Sequence, residues 1–181
     1  MKIVDLDLQG LKLVEPKVFG DARGLFLETW NQARYEAAGI AGPFVQDNLS
    51  RSRQYTLRGL HYQKPNAQGK LVSVVAGAVW DVAVDLRRSS PSFGKWFGVE
   101  LSAENRRQLW VPGGFAHGFA VLSDSADFAY KVSGPYSPKD EHVLRFDDPA
   151  LGIDWRIPHG QALLAERDKN GKSLAEAVCF D

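Results

Sequence analysis

Between Phe44 and about residue 146 the chain is written in short runs of β-branched and aromatic residues, separated by turn signals. The runs fall at 44–49, 55–63, 70–76, 78–86, 95–102, 107–112, 115–122, 127–133 and 142–146, with Ala76-Gly77, Ser89-Ser90-Pro91 and Pro112-Gly113-Gly114 among the breaks. No helical period of any length interrupts them. Many short strands at such spacing predict a sandwich or barrel rather than a βαβ fold. Upstream, residues 3–8 alternate as a half-buried strand does, and Leu11 to Val14 and Leu25 to Trp30 also have strand character. Gly20-Asp21 and Arg23-Gly24 signal tight turns before the latter. One short helix is expected over Asn31 to Ala38, started by Asn31 as cap and ended at Gly39. After Asp147 the pattern dissolves into loops and a polar end with weak helical character. No repeat or linker divides the chain, so residues 1–181 read as a single domain.

Strand parity sorts side chains onto faces. In 79–86, Trp80, Val82, Val84 and Leu86 share one face, and Val79, Asp81, Ala83 and Asp85 the other. Phe115, His117, Phe119 and Val121 share a face, as do Phe128, Tyr130 and Val132, with Lys131 opposite. His117 and Tyr130 therefore each point among apolar and aromatic groups, the setting a barrel interior provides.

Composition narrows the partners. Lys and Arg number 22 against 22 Asp and Glu, which argues against a general nucleic-acid binder while leaving room for a local anion pocket. The lone Cys179 excludes an intrachain disulfide framework and a Cys-rich zinc site. No window approaches 18 consecutive apolar residues, and Asp5 and Asp7 interrupt any apolar leader. A cytoplasmic chain without a membrane span is the expectation.

Chemistry concentrates in Gln54–Gln63, where His61 and Arg58 stand among apolar residues, and at Lys70 beyond the loop Lys64–Gly69. His61 is either a buried histidine satisfied by a carbonyl or a general base. A base needs a carboxylate to fix its tautomer; none is local, which leaves Asp81, Asp85 and Asp168 as distant candidates. Tyr130 is a candidate proton donor. Lys70, Arg58 and Arg23 are candidates for a diphosphate or an enolate oxygen. Arg58 and His61, three apart, would face opposite ways on a regular strand, so a shared site requires a bulge at Gly59. The four histidines form no His-x-His pair, and His142 and His159 read as surface residues, so a metal site is disfavoured.

The set Arg23-Gly-x-Phe-x-Glu28, Gln46-Asp-Asn48, Leu57-Arg-Gly-Leu-His-Tyr-Gln63, Gly69-Lys70-Leu-Val, Trp80-Asp-Val, Val111-Pro-x-Gly-Phe-Ala-His-Gly-Phe119 and Tyr130-Lys131 resembles the dTDP-4-dehydrorhamnose 3,5-epimerases. The motifs run in order from about residue 3 to the end of the sequence. The resemblance implies an all-β, cupin-like jelly roll with a few short helices, no metal or other cofactor, and a homodimer. Its N-terminal strands would lie at the dimer interface and its C-terminal tail on the barrel. The implied substrate is dTDP-4-dehydro-6-deoxy-α-D-glucose, epimerised at C3 and C5 through enolates. By resemblance His61 is the base, Asp168 its orienting partner, Tyr130 the acid on the opposite face and Lys70 the enolate's cation, with Arg58 and His117 assisting. Arg23, Phe26, Glu28, Gln46, Asp47, Asn48, Glu141 and Arg167 match nucleotide and phosphate contacts, and Tyr136 matches a thymine-stacking ring. Arg23 and Glu28 lie far in sequence from His61 and are expected to reach a partner's site. Two departures stand out: Val132-Ser-Gly-Pro-Tyr136 replaces the more usual Thr-Asp-x-Tyr, and Arg167 stands where lysine is frequent. The alternatives are a monofunctional 3-epimerase of a related sugar, a metal-dependent cupin enzyme, and a sugar-nucleotide binding module without catalysis.

Overall fold

The computed structural model describes residues 1–181. Thirteen strands are formed: β1 (Lys2–Asp5), β2 (Lys12–Glu15), β3 (Val18–Asp21), β4 (Gly24–Leu27), β5 (Gln46–Arg53), β6 (Leu57–Gln63), β7 (Lys70–Ala76), β8 (Ala78–Asp85), β9 (Trp96–Ser102), β10 (Gln108–Val111), β11 (Phe115–Val121), β12 (Ser125–Val132) and β13 (Glu141–Val143). Two short helices, α1 (Gln32–Ala37) and α2 (Glu166–Lys169), complete the set. One sheet has the order β1-β2-β10-β7-β12-β5 and the other β13-β6-β11-β8-β9, with β3 and β4 paired apart from both. Every pairing between these strands is antiparallel, in the cupin-like jelly roll that the family resemblance implies.

Parity decides the layers. Val72 and Val74 of β7, Leu109 of β10 and Phe128 of β12 meet Val79 and Ala83 of β8 and Phe115, Phe119 and Val121 of β11 in the inter-sheet core. Phe119 and Phe128 stack there at 4.0 Å between centroids, joining the two sheets. Burial of each such large side chain contributes about 1.5–3 kcal/mol. The opposite face of the second sheet, with Trp80, Val82, Val84 and Leu86, is covered by Leu144, Leu151, Trp155, Ala177 and Cys179 from the C-terminal region. On the outer face of the first sheet, Tyr35 and Ile40 pack against Val14, Leu71 and Trp110.

Several boundaries moved for local reasons. The first strand ends at Asp5 because Leu6 to Leu11 closes a tight loop, its ends joined by the Leu6 N–H to Leu11 carbonyl bond. The strand expected over 25–30 ends at Leu27, where its hairpin partner β3 runs out. Asn31 does cap α1, its Oδ1 accepting from the Arg34 N–H at 3.2 Å, and Gly39 leaves the helix at φ 78°. The β3–β4 hairpin carries Phe19, Leu25 and Phe26 largely exposed. No helix is long and apolar enough to cross a membrane.

Candidate active site

The site is built on an irregularity. His61 pairs with His117 across β6 and β11, but the next registered pair is Arg58 with Phe119, so Gly59 and Leu60 together oppose Gly118 alone. This is a β-bulge, and the extra residue reverses parity. Arg58 and His61 consequently turn into the same space while Leu60 drops into the core behind. Glycine is required on both sides. Gly59 holds φ 114°, and a Cβ there would lie 2.6 Å from the Gly118 Cα; a Cβ on Gly118 would lie 2.6 Å from the Arg58 carbonyl oxygen.

The bulge also exposes a backbone donor. The Gly59 N–H donates to Asp168 Oδ2 at 3.3 Å, while Asp168 Oδ1 sits 2.7 Å from His61 Nε2. Asp168 comes from α2 and is 2% exposed. Burial pushes its carboxyl up, but the His61 hydrogen bond and charge, the Gly59 N–H and Arg167 together outweigh it and hold the group below the usual carboxylate range. An ionised carboxylate only accepts, so Nε2 carries the proton and Nδ1 keeps the lone pair. The pair has the geometry that orients an imidazole to accept a proton at Nδ1. The other two aspartates proposed for His61 are engaged elsewhere: Asp81 receives His117 Nε2 at 3.0 Å on both oxygens, and Asp85 is held at about 2, against burial, by Arg87, Ser90 and Ser92.

Two adjoining cavities open in front of His61, of about 280 Å³ and about 130 Å³. His61, Lys70, Tyr130 and Arg167 line both. Gln46, Asn48, Tyr136 and Glu141 line the outer one, and Arg58 and His117 the inner. His61 stands on the second sheet, whereas Tyr130 on β12 and Lys70 on β7 stand on the first. A molecule held between them meets the imidazole from one wall and the phenol from the other.

Protonation states fit that arrangement. Burial is the main influence on Tyr130 and raises its phenol, so it is neutral and carries its proton at neutral pH. Burial lowers the Lys70 ammonium to about 8, with Glu141 and Asp81 pulling the other way. Lys70 donates weakly to the His61 carbonyl at 3.4 Å and meets no carboxylate directly. Arg58 spends only its Nε, on Ser52 Oγ at 3.0 Å. At the outer mouth Glu141 Oε2 accepts from Tyr136 Oη at 2.9 Å and Arg167 at 2.6 Å.

Four motif residues lie outside these cavities in this chain. Asp47 alternates with Gln46 and Asn48, faces the other side of the sheet and pairs with Lys131 at 2.8 Å. Arg23 and Phe26 sit on the β3–β4 hairpin, Arg23 paired with Asp21, and Glu28 pairs with Arg34 at 2.9 Å. His142 is half-buried rather than superficial, stacked on Tyr62 at 5.2 Å because β13 pairs with β6. Ser50, Gln63 and Gln68 line the cavities without having been singled out. Parity would have found two of them, since Ser50 shares a face with Gln46 and Asn48, and Gln63 with His61. No three His, Cys, Asp or Glu side chains converge as a metal-ligand set.

The sequence profile described as dTDP-4-dehydrorhamnose 3,5-epimerase matches residues 5–176. A dTDP-4-dehydrorhamnose 3,5-epimerase of Pseudomonas aeruginosa is 53% identical over 181 residues, covering 99% of each chain, and one of Shigella flexneri is 52% identical over 182 residues with the same coverage. Among solved structures, a dTDP-6-deoxy-D-glucose-3,5-epimerase from Legionella pneumophila Philadelphia 1, in complex with dTDP-4-keto-L-rhamnose, superposes with a TM-score of 0.94 at 52% identity, covering 97% of this chain and 93% of that one. With near-complete coverage in sequence and in fold, the chain belongs to the dTDP-4-dehydrorhamnose 3,5-epimerase family of isomerases.

Proposed function

We propose that this protein inverts C3 and C5 of dTDP-4-dehydro-6-deoxy-α-D-glucose, giving dTDP-4-dehydro-β-L-rhamnose for dTDP-L-rhamnose synthesis, with no cofactor. The observation that carries the reading is the His61–Asp168 pair on one wall of a cavity whose facing wall bears Tyr130 and Lys70. Both carbons are α to the C4 ketone, so loss of either proton gives an enolate on the same oxygen. His61 Nδ1 takes the proton, and Asp168 stabilises the imidazolium that results. Lys70 and Arg58 are cations without a direct carboxylate partner, suited to the enolate oxygen. Tyr130 returns a proton to C5 from the opposite side, since inversion at C5 needs its own acid. His117, fixed by Asp81, adds a hydrogen bond within the inner cavity. Gln46, Asn48, Glu141 and Arg167 line the mouth where the nucleotide and diphosphate would lie, with Tyr136 against the thymine. A charged nucleotide sugar does not cross a bilayer unaided, so the reading carries a cytoplasmic setting with it.

The working unit in this proposal is a homodimer within which each 1–181 domain lends its β3–β4 hairpin to its partner. Arg23, Phe26 and Glu28 then complete the neighbouring site, and the exposed Phe19, Leu25 and Phe26 become covered. Mixing inactive His61→Asn subunits with Arg23→Ala subunits should restore activity, because one site of the hybrid escapes both changes. A fully active monomer at assay concentration would refute the shared site. The reaction itself is tested in deuterated buffer, where label should enter at both C3 and C5. Label at C3 alone would instead identify a monofunctional 3-epimerase.

A further inference from the structure

We infer that Gln63 is a positioning residue whose carboxamide fixes Tyr136 over the mouth of the cavity. Gln63 follows His61 on β6 with the same parity and is 4% exposed. Both ends of its amide are used. Nε2 donates to the Asn66 carbonyl at 3.0 Å and to the Pro135 carbonyl at 3.3 Å, and Oε1 accepts the Ser137 N–H at 2.9 Å. Pro135 and Ser137 are the two chain neighbours of Tyr136. One side chain on the base's own strand therefore holds the backbone on either side of that ring.

Gln68 Nε2 also holds the Gly134 carbonyl at 2.6 Å and the Asp140 N–H the Ser137 carbonyl at 3.0 Å, but neither bonds both chain neighbours of the ring. Tyr136 lies outside the strands and is 49% exposed, and its hydroxyl donates to Glu141 at 2.9 Å. The Gln63 bonds make the distance between His61 and Tyr136 a property of one strand end rather than of a loop. The same amide reaches the loop that leads to Lys70, through Asn66. This inference rests on the proposal that Tyr136 packs against the nucleobase, and it adds what keeps the ring there.

Gln63→Met retains length and removes every hydrogen bond; Gln63→Asn is a polar second variant, one methylene too short to reach both Pro135 and Ser137. In both, backbone hydrogen exchange across 133–140 should accelerate while the strands stay protected. The Kd for dTDP should rise about tenfold, the range expected for a displaced stacking ring, with kcat at saturating substrate within about threefold of wild type. Tyr136→Ala should weaken dTDP similarly, and adding Gln63→Met to it should weaken binding no further. Unchanged exchange over 133–140 in both variants overturns the clamp. Additive losses in the double variant also overturn it, since Gln63 would then be acting on the ligand itself. If exchange accelerates but Tyr136→Ala binds dTDP as tightly as wild type, the stacking reading fails and the clamp stands.

Discussion

Replacing Lys70 by Met should make the protein more stable and nearly inactive. The ammonium is lowered from 10.5 to about 8, chiefly by burial. At about 1.4 kcal/mol per pH unit, keeping it charged in the folded chain costs about 3 kcal/mol. Methionine has a similar length and carries no such cost, but it gives up the long bond to the His61 carbonyl, worth under about 1 kcal/mol at 3.4 Å. The net gain is about 2 kcal/mol, or a Tm rise of about 4–8 °C for a chain of this size. The sign with pH follows from linkage. Below about pH 8 both folded and unfolded chains hold the proton and the full cost is present. Between about 8 and 10.5 the unfolded chain binds a proton that the folded chain has released, so wild-type stability rises with pH and the gap to Lys70→Met closes. Turnover should meanwhile fall by about 10²–10³, the loss typical of removing one oxyanion-stabilising group. Melting curves at pH 7 and 9.5, beside deuterium incorporation, measure both. A folded variant with unchanged or lower Tm at pH 7 would show the ammonium to be well solvated, and turnover within about threefold would remove Lys70 from the chemistry.

Asp168→Asn keeps an acceptor near Nε2 but loses the charge facing the imidazolium, about 4 kcal/mol at 4 Å and an effective dielectric of 20. Turnover should drop by about 10²–10³ with the Kd for dTDP little changed; a large loss of affinity with normal turnover would contradict an orienting role. Tyr130→Phe should retain deuterium entry at C3 and lose inversion at C5, so undiminished C5 inversion would disqualify the phenol as acid. Gly59→Ala places a methyl against Gly118 at a positive φ, which costs about 1–2 kcal/mol from the backbone alone. Its fold should weaken and its activity fall together, whereas a fully active Gly59→Ala enzyme would show that the bulge is dispensable. Activity should also decline above about pH 8 as Lys70 deprotonates, and Lys70→Arg should move that limb upward while leaving the acid side in place.

The facing of the strands was legible from alternation alone. Val79 and Ala83 went to one core, Trp80 and Val82 to the other, and Tyr130 turned inward as its parity required. The bulge was legible as a contradiction, because Arg58 and His61 could share a space only if Gly59 broke the strand. What no local pattern could rank was the carboxylate for His61. Asp81 and Asp85 sit on a buried strand and look better placed than Asp168 in a polar tail. Asp81 is excluded by His117 on the neighbouring strand, a contact that depends on sheet register, whereas Asp85 is taken by Arg87, Ser90 and Ser92 from the turn that follows it. Of the hairpin only the second arm and the turn at Arg23-Gly24 were readable; Gly20-Asp21, expected as a turn, belong to β3, and the hairpin's separation from both sheets is a tertiary fact with no signature in its own residues.

The dyad joins positions 107 residues apart, and this has a consequence for synthesis. By the time Val143 has been made, every strand of both sheets is in the chain and the inter-sheet core can close, while Leu144, Leu151, Trp155, Ala177 and Cys179, which cover the second sheet's outer face, are still to come. His61 is then still without the carboxylate that sets its tautomer, which arrives only with α2. A nascent chain lacking that helix also lacks Ala177 and Cys179 from the cover of the second sheet, so the imidazole is oriented only as that face closes. On the proposed mechanism, a competent base and a covered second sheet are completed by the same late stretch of chain.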